Sequence, residues 1–415
     1  MTLFKEASKR IITKEIIQVA KDENLPVKNV VKAISKGIII IMKRPQSQPV
    51  GIGNRLRTKI NVNIGTSSSE INFESEIKKV QIAQKYKADT LSDLSMGGNI
   101  DTVRRLILEN STVPITTVPI YQAVVEANSF SNVSEDLIIK VIEKQIKDGI
   151  SSIVVHAGFT LETLKKMKGK RIMGIVSKGG SFTASIMNSN NIENPFLKNY
   201  NYILELLTEN DIVLNLGNSM RSGCIHDKID EFQQNEIITN NMLAKRANKK
   251  GIQVILESLG GHVSVSELMK WIKKHKKLTD NRPLFVSGPL PIDIAVGYDH
   301  IAAAIGGAFA SGFGADYLCM ITPAEHLSLP SEDDIKNGLI ACRIAAHVGD
   351  SLKFGLNHLF NLDLKLAENR FLQNWKEQFE CSINPEEPMK RHSIDQKDCT
   401  MCGKYCALSL SKKIL

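Results

Sequence analysis

The chain has 415 residues, 42% hydrophobic and 23% charged, with Lys+Arg 53 against Asp+Glu 44 and a formal net charge of +9. The length exceeds one ordinary domain and suits a single barrel with appendages, and the composition excludes a fibrous or disordered chain. The positive balance permits anionic ligands, but aromatics are only 6% and interleave with no basic block, so no nucleic-acid surface is expected.

Residues 1–50 read as a small N-terminal cap. Met1 to Glu23 is charged throughout and holds no apolar signal core. Helical spacing runs over Ala7–Ala20 and Pro26–Lys36, and Ile38–Met42 reads as a strand. That apolar run is far too short to span a bilayer, so no membrane is expected and the location expected is cytoplasmic. Pro45 and Pro49 punctuate the exit.

Over residues 51–355 short apolar strands end in polar or glycine-rich turns and amphipathic helices follow. The strand candidates are Lys59–Gly65, Asp89–Ser95, Val113–Ile120, Ser151–Ala157, Ile172–Ser177, Asp211–Gly217, Ile252–Ser258, Pro283–Gly288 and Ala315–Thr322. Helical stretches lie between most of them, among them Glu70–Lys85, Ile100–Glu109, Glu135–Lys147, Gln233–Asn248, Ser264–His275 and Ser331–Lys353. Alternation of this kind implies a parallel sheet. Eight such units close into a (β/α)8 TIM-type barrel, so one of the nine candidates lies outside the barrel or is misread. A doubly wound open sheet is the competitor, but no G-x-G-x-x-G follows the first strand.

Polar residues gather where such a barrel places its site. Asn63, Asp93 and Ser95 end early strands, Tyr121 follows the third and His156 ends the fourth. Ser177-Lys178-Gly179-Gly180, Asn218, Arg221, Glu257, His262 and His326 occupy the corresponding later positions. A lone histidine is more often a satisfied structural group, but a whole series at strand ends points to a site on that face.

Residues 356–415 leave the repeat. Asn357–Gln378 reads as helical, and Pro385–Asp398 as a polar, mobile linker carrying an arm, Cys399-Thr400-Met401-Cys402-Gly403-Lys404-Tyr405-Cys406. Seven cysteines, with Cys224, Cys319, Cys342 and Cys381 scattered, make no disulfide framework. The arm has the spacing C-x2-C-x3-C. Structural zinc wants four protein ligands and most iron–sulfur clusters take four cysteines. Three leave one iron open, which is what S-adenosylmethionine (SAM) needs in order to bind. Read from the arm alone, a zinc site completed by His392 and a chance grouping stay open.

Several stretches together resemble the radical-SAM phosphomethylpyrimidine synthase family of thiamine biosynthesis. They are Pro49-Val50-Gly51-Ile52-Gly53, Leu56-Arg57-Thr58-Lys59, Asn63-Ile64-Gly65-Thr66-Ser67, Thr117-Val118-Pro119-Ile120-Tyr121-Gln122-Ala123 and His156-Ala157-Gly158. Further on come Gly297-Tyr298-Asp299-His300, Thr322-Pro323-Ala324-Glu325-His326-Leu327, Ile344-Ala345-Ala346-His347 and the cysteine arm. The resemblance implies a lyase that uses a 5′-deoxyadenosyl radical from SAM to recast aminoimidazole ribotide as 4-amino-5-hydroxymethyl-2-methylpyrimidine phosphate, releasing formate and CO. It equally includes a branch that turns the same ribotide into 5-hydroxybenzimidazole, a cobamide lower ligand.

By the same resemblance Cys399, Cys402 and Cys406 hold a 4Fe-4S cluster and count as catalytic together with Glu257. His262 and His326 hold a mononuclear divalent ion, zinc or iron. Asn63, Ser92, Tyr121, His156, Ser177, Lys178, Gly179, Asn218, Ser219, Met220, Arg221, Glu257 and Phe285 fall at substrate positions. A reductant such as flavodoxin or ferredoxin is implied, as is a homodimer, but no nucleic-acid or membrane partner. The chain departs from the family pattern at several of these positions. Ser92 stands for a methionine, Met96 for a threonine, Asn218 for an aspartate and Phe285 for a tyrosine. The Glu257–His262 stretch is one residue longer and the cysteine spacing one shorter. A non-catalytic barrel with a zinc arm is the reading of a different class, and the brown colour of an anaerobically purified cluster protein discriminates against it.

Overall fold

The computed structural model describes residues 1–355, 361–395 and 399–414. Eight of the nine expected strands pair in parallel and close on themselves. They are β3 (Lys59–Ile64), β4 (Thr90–Asp93), β5 (Ile115–Thr117), β6 (Ser152–Val155), β7 (Val213–Leu216), β8 (Val254–Glu257), β9 (Leu284–Ser287) and β10 (Tyr317–Cys319). They follow one another around the barrel in sequence order, and Tyr317 beside Lys59 closes the ring between β10 and β3. The architecture is thus the (β/α)8 barrel that the alternation implies.

The ninth candidate, Ile172–Ser177, is not a strand. Ile172 and Met173 are exposed, their N–H groups donate to the Asp227 carboxylate at 2.8 and 3.0 Å, and Gly174 turns through φ +64. No gap in the sheet awaits it, because β6 and β7 pair directly through Ser152 and Val213. Apolar residues alone suggested a strand there; the backbone went to a carboxylate instead.

The cap also differs in detail. The helix expected over Ala7–Ala20 is two, α1 (Leu3–Ser8) and α2 (Lys14–Asp22), because Arg10 adopts φ +62 and Thr13 caps α2 by accepting from Ile16 N. After α3 (Val27–Ser35) come β1 (Ile39–Met42) and β2 (Val50–Gly53), an antiparallel hairpin. Ile40, Met42 and Ile52 of this hairpin pack with Val213, Ile255, Phe285, Tyr317 and Cys319 from inside the barrel, which makes the hairpin its floor. The Gln253 amide ties it down, donating to Ile41 O at 3.1 Å and accepting from Ile41 N at 2.8 Å.

The barrel helices are α4 (Phe73–Lys85), α5 (Ile100–Asn110), α6 (Pro119–Ala127), α7 (Glu135–Lys147), α8 (Leu161–Met167) and α9 (Lys178–Asn190). Then come α10 (Pro195–Lys198), α11 (Tyr200–Asn210), α12 (Glu231–Lys250), α13 (Val265–Leu278), α14 (Asp299–Phe313) and α15 (Glu332–Phe354). Starts are marked by side-chain caps: Asn72, Asn99, Ser134 and Asp230 each accept an N–H of the first turn. Gly251, at φ +95, ends α12 in the left-handed conformation that glycine adopts without penalty.

Strand residues alternate. Ile60, Val62 and Ile64 of β3 belong to the apolar layer under the helices, whereas Asn61 and Asn63 turn the other way, into the barrel. Such interiors are commonly filled by branched apolar side chains. Here only the floor is, and a polar interior rises above it. Among the described residues no helix is long and apolar enough to cross a membrane.

The chain divides into Met1–Lys353 and Phe354–Leu415. In the second unit the expected helix Asn357–Gln378 is two, α16 (Asn361–Leu372) and α17 (Trp375–Glu380), broken where Gln373 takes φ +58 and Asn374 caps α17. Residues 357–360 of that expectation lie outside the described residues. The expected linker holds a helix, α18 (Glu386–Arg391), and its residues 396–398 likewise lie outside them. The unit ends in α19 (Ala407–Ile414).

Candidate active site

Candidate residues cluster at the C-terminal ends of the barrel strands. On β3 and β4, Asn61 Oδ1 accepts from Thr90 and Ser92 hydroxyls at 3.0 Å each and from Tyr317 at 3.3 Å. Asn61 Nδ2 donates to Asn63 Oδ1 at 2.9 Å, and Asn63 Nδ2 reaches Cys319 Sγ at 3.2 Å. Asn63 and Ser92 are therefore set by a network whose hub, Asn61, the sequence reading missed.

His156 follows β6 and is buried between two glycines. A methyl on Gly179 would lie 2.2 Å from His156 Cε1, and one on Gly217 2.7 Å from Cδ2, so both positions need a bare backbone. His156 Nε2 is 3.4 Å from Ser177 Oγ, and its Nδ1 has no partner. Burial, with help from the Arg221 charge, lowers its pKa to about 3, so the imidazole is neutral. Ser177 caps α9 by accepting from Gly180 N at 3.2 Å, which leaves Lys178 and Gly179 in the first turn. A helix N-terminus of this kind suits a phosphate. The Lys178 ammonium also lies 5.6 Å from the ring centre of Tyr121, whose hydroxyl burial holds neutral.

The loop after β7, residues 218–221, is gripped from beneath by side chains outside the expected set. Glu236 of α12 accepts Ser219 N at 2.7 Å and Met220 N at 2.9 Å. In the amide orientation that satisfies both its neighbours, Asn218 donates to Glu236 at 3.0 Å and accepts from Leu259 N at 3.2 Å. Arg171 takes the opposite polarity, donating to Met220 O at 2.9 Å and Arg221 O at 3.4 Å while paired with Asp230. Burial pushes the Glu236 carboxyl up to about 7 against those N–H bonds. Glu257 is likewise at about 7: burial outweighs the Arg221 charge and hydrogen bonds from Asn218 and Asn215.

Two expected substrate residues point elsewhere. The Met220 side chain is buried in a satellite cluster with Phe159, Met167, Met187 and Phe232. Phe285 stacks on Tyr317, centroids 4.1 Å apart, as part of the floor. Ser219 is fully buried beside the Glu236 carboxyl.

His262 and His326 come together, ring centroids 5.4 Å apart. Asp293 Oδ1 sits 2.7 Å from His262 Nδ1 and orients that ring. Carboxylate–histidine pairs of this sort commonly support a metal ligand. Among the described residues no three His, Cys, Asp or Glu side chains are grouped as a ligand set, and the pair offers two imidazoles to an ion.

In the second unit Gly403 N donates to Cys399 O at 3.0 Å and Tyr405 N to Cys402 O at 3.1 Å, folding the arm back on itself. None of its three cysteines is in a disulfide among the described residues, and slight desolvation together with Cys399 and Cys406 raises the Cys402 pKa. Neighbouring, unbridged thiols at a turn fit a cluster that takes three cysteines. His392 packs against Trp375, ring centroids 4.0 Å apart and the planes tilted by 46°.

A cavity of about 660 Å³ lies at the other end of the barrel, lined by Lys14, Gln18, Lys43, Arg44, Gln48 and Asp211 among others. Three of its charged groups are engaged internally: Lys43 pairs with Asp211 at 3.0 Å, and Arg44 donates to the Leu108, Ser111 and Val113 carbonyls. The polar C-terminal face is the better candidate for chemistry.

Comparison with known proteins shows the family of the chain. The model of the Radical SAM ThiC family matches residues 2–413. A phosphomethylpyrimidine synthase of Thermoanaerobacter sp. strain X514 is 44% identical over 427 residues, covering 100% of this chain and 98% of the relative. One from Methanocaldococcus jannaschii is 42% identical over 425 residues, covering 100% and 99%. Similarity at this level over the full length of both partners leaves no part of the chain outside the match, and the chain belongs to the Radical SAM ThiC family.

Proposed function

We propose that this chain is a phosphomethylpyrimidine synthase, a radical-SAM lyase that recasts 5-aminoimidazole ribotide as 4-amino-5-hydroxymethyl-2-methylpyrimidine phosphate in thiamine biosynthesis. The observation that carries this is the end-to-end identity of 42–44% to relatives of that name. It favours the pyrimidine product over 5-hydroxybenzimidazole. Two of the departures from the family pattern have structural partners: Phe285 belongs to the floor and Asn218 is engaged by Glu236 and Leu259. The family also decides against a zinc-only barrel.

The site residues have roles consistent with this reading. The N–H groups that open α9, with Lys178 and Arg221, supply positive potential for the ribotide phosphate. Asn63, Ser92 and Tyr121 present hydrogen-bonding groups to the sugar and ring. Neutral His156 offers its unpartnered Nδ1 as donor or acceptor, and Glu257, near pKa 7, can hold or release a proton at neutral pH. Cys399, Cys402 and Cys406 would hold the 4Fe-4S cluster, which with SAM supplies the radical chemistry. His262 and His326 would hold a divalent ion, with Asp293 behind them. An electron donor such as flavodoxin or ferredoxin and a homodimeric state belong to the same reading.

The test is anaerobic turnover of reconstituted protein with the ribotide, SAM and a reductant, with all products identified. The hydroxymethylpyrimidine phosphate, formate and CO are expected. Formation of 5-hydroxybenzimidazole, or no turnover by protein with full iron content, would overturn the reading. In parallel, His326→Ala should lose non-iron metal and keep iron.

A further inference from the structure

Glu257 ends β8 and faces the barrel interior, and its two carboxyl oxygens have different partners. Oε1 accepts from Asn215 Nδ2 at 2.8 Å, while Oε2 accepts from the Asn218 backbone N–H at 3.4 Å. Asn215 lies on β7, 1% exposed, one pleat above Val213 and in register with Ile255, both of which belong to the apolar floor. A valine at 215 would extend that floor. An amide buried there instead costs free energy unless its groups are bonded. Half of it is not, since Asn215 Oδ1 has no partner. Turning the amide over would set its carbonyl against the Glu257 carboxylate, so Glu257 fixes its orientation and Oδ1 is left as an open acceptor. Ser152 and Thr116, register partners on β6 and β5, are buried with their hydroxyls unpartnered as well.

We propose that Asn215 is a positioning residue for the reaction: it locks the Glu257 carboxyl in one orientation and presents Oδ1 as an acceptor for an N–H or O–H group of the bound ribotide. This rests on the reading that Glu257 serves the substrate. The other groups that act on Glu257 are Arg221 from the loop after β7, Tyr121 from α6, and Tyr317 and Cys319 from β10. Burial keeps both phenols and the thiol protonated. Asn215 therefore acts as a neutral donor that favours the ionised carboxyl without adding charge to the interior.

The experiment compares holoenzyme carrying Asn215→Leu, Asn215→Asp or Glu257→Gln with the parent. It measures turnover against pH, and ribotide affinity by calorimetry without SAM. The Leu variant removes the donor; the Asp variant is isosteric, which protects folding, and adds a negative charge. Both changes disfavour the ionised carboxyl. The limb of the pH profile governed by Glu257 should therefore move to higher pH by about one unit in each. Ribotide affinity should fall roughly tenfold, at unchanged iron content. Parental pH limbs and affinities in both Asn215 variants would overturn the role given to Asn215. If Glu257→Gln itself left turnover and its pH profile intact, the functional reading of Glu257 would fail instead, and this proposal with it.

Discussion

Buried ionisable groups distinguish the candidate site at the residue scale, and their identities were only partly visible beforehand. Glu257 ends a strand and stood out; Glu236 sits mid-helix among Gln233, Gln234 and Asn235 and looks like a solvated face. Only the packing of α12 under the 218–221 loop reveals that its carboxyl accepts two backbone N–H groups. Its pKa of about 7 stands above the ordinary 4.5. A raised carboxyl pKa contributes stability that is present below pH 4.5 and lost as pH rises through 7. Glu236→Gln removes that titration. The difference in unfolding free energy between pH 5 and pH 8 should therefore shrink by about 2–3 kcal/mol relative to the parent. Denaturant melts at both pH values measure this, and an unchanged difference would show that the carboxyl titrates normally.

At the scale of elements, the hairpin β1–β2 does for the barrel what barrel side chains often do for themselves. Sealing the floor with Ile40, Met42 and Ile52 frees the upper interior for Asn61, Asn63, Ser92 and Asn215, which would otherwise have to be apolar. Met42 is fully buried there. Met42→Ala should cost about 2–5 kcal/mol in a urea melt, by lost burial and the cavity left behind. A cost below about 1 kcal/mol would mean that the floor collapses to fill the space. A second element, α9, owes its value to Gly179, whose missing side chain lets the helix start against the His156 ring.

For the whole molecule, the cysteine arm and the barrel belong to different units, so their contributions can be separated by experiment. Replacing Cys399, Cys402 and Cys406 together by Ala should abolish iron binding and 5′-deoxyadenosine formation while the thermal transition of the barrel stays in place. Full iron content in that triple variant would defeat the cluster assignment. The sequence by itself determined the barrel, because strand and helix periods repeat in alternation, and it determined the arm, because three cysteines in eight residues are legible without any fold. It also brought out His156, Glu257, His262 and His326, since residues at strand ends converge in any such barrel. Only the tertiary structure decided that Ile172–Ser177 is not a strand but a segment held by Asp227, that Met220 and Phe285 pack in apolar clusters, and that Glu236, Arg171, Asn215 and Asp293 hydrogen-bond to the loop after β7, Glu257 and His262. The reason is physical. Periodicity records which face of an element is buried, but the partner of a buried polar atom is set by distances of about 3 Å between segments far apart in the chain.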